Sequence, residues 1–187
     1  MQTKQIVGVD EAGRGALIGN VVAAAVILPS EYDSLFMVDS KTLTEQKRKV
    51  AAEYIKSVAL DCAIGVASPR EIDALNIHYA TLLAMQRAID AIDSDFDEVW
   101  IDGKFAPKTD KPAFAFVKGD QLYDCIGAAS ILAKTYRDAE LCELHKKYPE
   151  YGLASHKGYP TKRHRQAIEQ FGILPEHRRS YKIIKSR

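Results

Sequence analysis

Asp10 and Glu11 stand side by side, directly after the apolar run Gln5–Val9 and just ahead of the turn Gly13-Arg14-Gly15. Adjacent carboxylates repel, and the repulsion is relieved by solvent or by a hard cation such as Mg²⁺ between them. Two further acids also close apolar segments: Asp102 follows Val99-Trp100-Ile101, and Asp120 follows Phe116-Val117-Lys118-Gly119. If those segments are neighbouring strands, the four carboxylates converge on one edge of a sheet, where ligands of α/β folds collect. Four acids suffice for two divalent ions about 3.5–4 Å apart, an arrangement that activates water and stabilises the leaving oxygen in phosphodiester hydrolysis. Each acid also has a plainer reading. Asp10-Glu11 fits a solvated turn, Asp102 the turn Asp102-Gly103, and Asp120 a helix N-cap.

Other chemistry-bearing residues are less suggestive. Asp138 is too far along the sequence from Asp120 to share its cluster, since a straight helix between them would separate the two by roughly 27 Å. The histidines His78, His145, His156, His164 and His177 lack paired metal-ligand spacing, and hard cations prefer oxygen, so they stay outside the metal set. Cys62, Cys125 and Cys142 are an odd set without zinc spacing and read as reduced, packed thiols.

Strand and helix patterns alternate along the chain. Gln5–Val9 and Asn20–Leu28 read as two strands joined by a tight glycine-rich turn and paired antiparallel. Thr42 with Glu45 fits a capping box for an amphipathic helix running to Ala59. Cys62–Ala67 reads as a strand. Ser68, Pro69 and Glu71 supply an N-cap, a first-turn proline and an N3 acid for a short helix that precedes a longer one over Ile77–Ile92. Glu98–Ile101 and Ala113–Val117 read as buried strands. The stripe Leu122, Ile126, Ala129, Ala133, Tyr136 marks a central helix within Leu122–Tyr148 whose small residues permit close packing. The order is α/β, with no repeat and no linker, and 187 residues at 47% apolar content suit one domain over 1–187.

Charge is balanced overall, with 26 basic against 25 acidic residues, so net charge alone does not point to a polyanionic partner. The last fifth differs: Lys157, Lys162, Arg163, His164, Arg165, His177, Arg178, Arg179, Lys182, Lys185 and Arg187 make 149–187 a basic segment. For Lys157, Arg178 and Arg179, duplex binding and solvated surface charge are both open readings. No run of about 18 apolar residues is present and the N-terminus is polar, so the protein is expected to be soluble, cytosolic and free of membrane partners.

The runs Val9-Asp10-Glu11-Ala12-Gly13-Arg14-Gly15, Asp39-Ser40-Lys41 and Ala128-Ala129-Ser130-Ile131-Leu132-Ala133-Lys134 together resemble bacterial ribonuclease HII. The resemblance continues through Glu71–Ile77, Met85–Ala88, Ile101-Asp102-Gly103, Val117–Asp120, His156–Thr161 and His177–Ser180, nearly the whole chain. It implies a ribonuclease H-like fold, a mixed five-stranded sheet flanked by helices, with a C-terminal helical basic segment. It implies an endonuclease acting on the RNA strand of RNA/DNA hybrids and on duplex DNA containing ribonucleotides, expected to work as a monomer. The metal set would be Asp10, Glu11, Asp102 and Asp120, serving two Mg²⁺ or Mn²⁺ ions, both of which accept octahedral oxygen ligands.

Gly13, Arg14 and Gly15, with Tyr159, are implied to read the ribonucleotide and its junction with DNA. Lacking side chains, the glycines let backbone groups approach a 2′-OH closely. Tyr159 would stack on the following deoxyribose; on residue type alone the preferred reading is a partly buried turn aromatic beside Pro160, and the resemblance reverses that preference. Arg14 and Lys41 resemble backbone-contacting positions that neutralise phosphates.

The sequence departs from the family pattern at two positions. Ala16 replaces a common proline, which is expected to loosen the turn, and Thr42 replaces a second lysine, which removes one phosphate contact. Two rivals stand beside ribonuclease HII. Ribonuclease HIII has a similar catalytic domain and usually an added N-terminal one, whereas this chain opens on the first catalytic strand. A non-catalytic RNA/DNA-hybrid binding module would not need the intact carboxylate quartet.

Overall fold

The computed structural model describes residues 4–33 and 43–185. Five strands form a mixed sheet: β1 (Ile6–Ala12), β2 (Val21–Ile27), β3 (Asp61–Ala67), β4 (Glu98–Asp102) and β5 (Ala113–Phe116), in the spatial order β3-β2-β1-β4-β5. β1 and β2 pair antiparallel, as their composition predicts, with Asp10 opposite Ala24 and Glu11 opposite Ala23. β4 lies parallel to β1, and β5 parallel to β4.

Side chains alternate across a strand, so each strand feeds two cores. Val7, Val9, Val99 and Ile101 face α2 (Pro69–Asp90), which contributes Ile72, Ala84, Met85 and Ala88. Val22, Ala24 and Val26 face the other way, toward α1 (Glu45–Val58) and α3 (Asp124–Lys147). Small residues allow α3 to come close. A Cβ on Gly8 of β1 would stand 2.2 Å from the backbone carbon of Cys125, so only glycine admits the helix there.

The helix starts show what local sequence determines. Ser68 and Glu71 form the expected reciprocal capping box. The break in α2 also falls where the pattern puts it: Asn76 adopts φ 67°, ψ 165°, and its side chain accepts from the amides of His78 and Tyr79, capping the second half. At α1 the cap is Thr44, whose hydroxyl accepts from Lys47 N at 3.3 Å; the expected cap Thr42 lies outside the described residues.

Other expectations shift. β1 extends through the acids to Ala12, so Asp10 and Glu11 lie within the strand rather than beyond it. The expected tight turn between β1 and β2 is the longer segment 13–20. β5 is not buried; as the sheet edge it leaves Phe114 46% exposed. α3 begins at Asp124, which leaves Leu122 outside the helical stripe and exposed, and Tyr136 is exposed as well.

The C-terminal segment folds over this frame as α4 (Leu153–His156), α5 (Lys162–Phe171) and α6 (Lys182–Lys185). With Leu17, Ile18 and Leu141 it builds a third apolar core around Tyr151, Leu153, Ala167, Ile168 and Ile184.

Candidate active site

Three of the four predicted carboxylates converge. One oxygen each of Asp10, Glu11 and Asp102 lie within 4.8 Å of one another. The sheet register explains this: Val9 of β1 pairs with Ile101 of β4, so the next step along the parallel pair sets Asp10 beside Asp102. Asp102 Oδ1 accepts from Gly119 N at 2.7 Å, which ties β4 to the turn after β5. Asp120 follows in that turn, a 3₁₀ segment Gly119–Gln121, buried and outside the close trio. The N-cap of α3 is Tyr123, so the alternative reading of Asp120 as that cap does not hold.

Electrostatics make the trio costly. Burial, then the charges of Glu11 and Asp102, hold the Asp10 carboxyl well above the ordinary carboxylate range, against hydrogen bonds from Ser130 and from Glu11 N. Burial also raises Glu11, while Arg14, 3.3 Å away, pulls it down. Three carboxylates gathered in one partly buried cluster favour a hard positive ion, and an all-oxygen donor set suits Mg²⁺ or Mn²⁺.

The trio opens into a cleft of about 370 Å³ lined by Gly13, Arg14, Gly15, Arg48, Ser130, Lys134 and Tyr159 as well. The glycine turn and Tyr159 therefore meet, as the resemblance implied: a Cβ on Gly15 would come within 3.6 Å of the tyrosine ring. Gly13 has φ +91° and no room for a side chain, because Arg137 Nε lies 1.8 Å from where a Cβ would be. Ala16 N donates to Gly13 O at 3.3 Å, a bond that proline could not make, so the expected loosening at Ala16 is opposed by an added turn contact.

Two buried arginines, Arg137 and Arg178, brace the cleft from behind. Arg178 donates to the carbonyls of Gly13 (2.7 Å), Arg14 (3.0 Å), Gly19 (3.0 Å) and Asn20 (2.9 Å), so the question left open for it is answered: it is a brace for the glycine turn, fully buried. Arg137 donates to Lys157 O at 3.0 Å and Ile18 O at 3.1 Å, with its guanidinium 6.0 Å from the Tyr159 ring centre. Lys157 turns away from the cleft to Glu45, at 3.3 Å, and to Cys142 Sγ. Arg179 is exposed, and Lys41 lies outside the described residues.

Arg48, Ser130 and Lys134 were not assigned roles from sequence. Asp138, which the sequence reading kept apart from the metal set, organises two of them by accepting from Arg48 at 3.0 Å and Lys134 at 2.6 Å. The Lys134–Asp138 pair has i,i+4 spacing that sequence displays; the link to Arg48 is long-range and leaves no local signal.

The family profile of ribonuclease HII matches residues 7–184. A ribonuclease HII from Dichelobacter nodosus is 55% identical over 96% of this chain and 95% of its own length. The crystal structure of the ribonuclease H2 from Pyrococcus horikoshii superposes with a TM-score of 0.84 at 25% identity, covering 97% of this chain and 96% of that one. Bst-RNase HIII, solved in complex with Mn²⁺, shares the fold with a TM-score of 0.72 at 16% identity, covering 97% of this chain and 68% of that one. The fold is thus that of the type 2 ribonucleases H. The chain belongs to the ribonuclease HII family, hydrolases of the RNA strand of RNA/DNA hybrids.

Proposed function

We propose that this protein is an endonuclease that also cuts duplex DNA on the 5′ side of a single embedded ribonucleotide, leaving 5′-phosphate and 3′-hydroxyl ends. The observation that carries the reading is the carboxylate trio at one end of a cleft whose other wall is the glycine turn facing Tyr159. Asp10, Glu11 and Asp102 would hold divalent metal, with Asp120 as the fourth ligand; the Mn²⁺ complex of Bst-RNase HIII supports the ion class. When bound, two such ions would neutralise the scissile phosphate and lower the cost of water attack.

The chain's own residues do the rest. Backbone groups of Gly13 and Gly15 approach the 2′-OH, and Arg14 meets the adjacent phosphate. The Tyr159 ring, 38% exposed toward the cleft, stacks on the next sugar, where an extra hydroxyl fits less well. Lys41 and the exposed Arg179 add phosphate contacts; Lys157 reaches a phosphate only by exchanging Glu45 for it. Since water attacks phosphorus, the P–O3′ bond breaks and the 2′-OH is read without being consumed.

The test is a Mg²⁺- or Mn²⁺-dependent cleavage assay on a duplex with one ribonucleotide, beside an all-DNA duplex. One cut, 5′ to the ribonucleotide and bearing a 5′-phosphate, is expected. A 2′,3′-cyclic phosphate, or binding without turnover, would refute the reading. Tyr159→Ala is expected to lose at least about tenfold in cleavage of the lone ribonucleotide while hybrid binding changes far less.

A further inference from the structure

Three histidines lie behind Tyr159, and backbone groups of fixed polarity surround them. Leu174 N stands 2.8 Å from His177 Nδ1, and an amide only donates, so Nδ1 of His177 accepts and its proton sits on Nε2. His177 Nε2 is 3.2 Å from His164 Nε2, which must therefore accept. That leaves the proton of His164 on Nδ1, where it meets the Tyr159 carbonyl at 3.1 Å, a group that only accepts. Every link agrees with the next. His156 is fixed likewise: Gly158 N donates to its Nδ1 at 3.2 Å, its Nε2 donates to Tyr151 O at 2.8 Å, and its ring stacks on His164.

The chain of bonds starts on the segment that also holds the glycine turn. His177 bridges Ile18, its neighbour Arg178 grips Gly13 and Arg14, and Leu17 N donates to Gly158 O at 2.8 Å. One end of the histidine pair is thus tied to the 2′-OH-reading turn and the other to the backbone of the stacking tyrosine.

We propose that His177 and His164 are positioning residues for the junction-reading site: their one-way hydrogen-bond chain, ending on the Tyr159 carbonyl, sets where the tyrosine ring stands relative to Gly13-Arg14-Gly15. This rests on the reading of Tyr159 given above. Both histidines are fully buried, 0% and 1% exposed, and neither touches the cleft, so their effect on substrate passes through Tyr159. Burial, with His156 beside His164 and His164 beside His177 adding to it, pushes both down to about 4, which keeps the chain neutral and intact at physiological pH. A displacement of about 1 Å at a reacting site costs on the order of a hundredfold, so such a brace is worth having.

The decisive comparison is between His164→Asn and His164→Gln in the full-length, Mg²⁺-supplied enzyme. Asparagine places an amide near the Nδ1 position and keeps the donor to Tyr159 O; glutamine places it near Nε2, keeps the contact with His177 and releases Tyr159. On a duplex with one ribonucleotide, the asparagine variant is expected to keep at least about ten times the kcat of the glutamine variant, with KM within about twofold. Equal kcat for the two, or losses that merely follow the folded fraction, would overturn the proposal.

Tyr159→Ala on the same substrate separates the two readings. If it cleaves at the wild-type rate, the junction role of Tyr159 fails; if it is impaired and the two His164 variants are equal, only the histidine chain fails. Imidazole ¹⁵N spectra of the wild-type protein test the geometry even if a variant does not fold. They should show His177 protonated at Nε2 and His164 at Nδ1, and the opposite tautomer at either would refute the chain.

Discussion

Asp10 is 4% exposed and shares its surroundings with two other carboxylates, so in the metal-free protein it stands as a net cost to folding. Asp10→Asn removes that repulsion at nearly constant volume. Turnover is expected to fall by on the order of a thousandfold, while metal-free stability rises by about 1–2 kcal/mol. Mg²⁺ at a hundred times its dissociation constant should stabilise the wild type by about 2.7 kcal/mol and the variant much less, because binding to the folded state alone shifts the midpoint. Thermal melts with and without Mg²⁺ check this; an equal shift in both proteins would remove Asp10 from the metal set. Arg179 is a contrasting residue, exposed, with its backbone N donating to Asp73. Arg179→Ala should weaken duplex binding and reduce the slope of log K against log salt by about 1 without moving the cut.

At the scale of elements, the site depends on how tightly α3 seats on β1. Gly8→Ala would push a methyl group into the Cys125–Ile126 backbone and lift the helix that carries Ser130 toward Asp10. A loss of about 1–3 kcal/mol in urea unfolding is expected, together with weaker metal affinity. Unchanged stability and affinity would mean the contact relaxes freely. The same elements show how far sequence reaches. The grouping of the acids after apolar runs and the glycine turn were legible in short contiguous segments, and the Ser68 cap because a cap is a local bond, whereas a role for Tyr159 came from the family resemblance alone. The arginine braces were not. Arg178 in the basic tail was open between duplex binding and surface charge, yet it reaches Gly13 across 165 positions, and its cost of burial is met by carbonyls that no local pattern connects to it. His164 and His177 were hidden for the same reason. β5 misled differently: Ala113–Val117 is apolar enough for a buried strand, but edge position is a property of the sheet order.

For the whole molecule, the C-terminal segment is also a clamp whose buried Arg178 and histidines hold the glycine turn and Tyr159 from behind, and acid should release it. His164 and His177 titrate near 4 in the folded protein against about 6.5 when unfolded. Above pH 6.5 both are neutral in both states, so their contribution is fully present. As pH falls from 6.5 toward 4 the unfolded chain takes up protons that the folded one refuses, and each histidine withdraws up to about 1.4 kcal/mol of stability per pH unit. Glu71, held down to about 2 by Arg87, loses its smaller, half-solvated contribution only below about 4.5, so the two windows barely overlap. The buried acids Asp10 and Glu11 act in the opposite sense, since protonation relieves their repulsion, and they titrate identically in a histidine variant. Subtraction therefore isolates His164. Unfolding free energies of wild type and His164→Asn, from urea titrations at pH 7.5 to 4.5 without metal, should converge by roughly 2–3 kcal/mol toward the acid end, the wild type losing more. Parallel curves would show that His164 takes up its proton equally in the folded and unfolded protein and that the clamp does not depend on its neutrality.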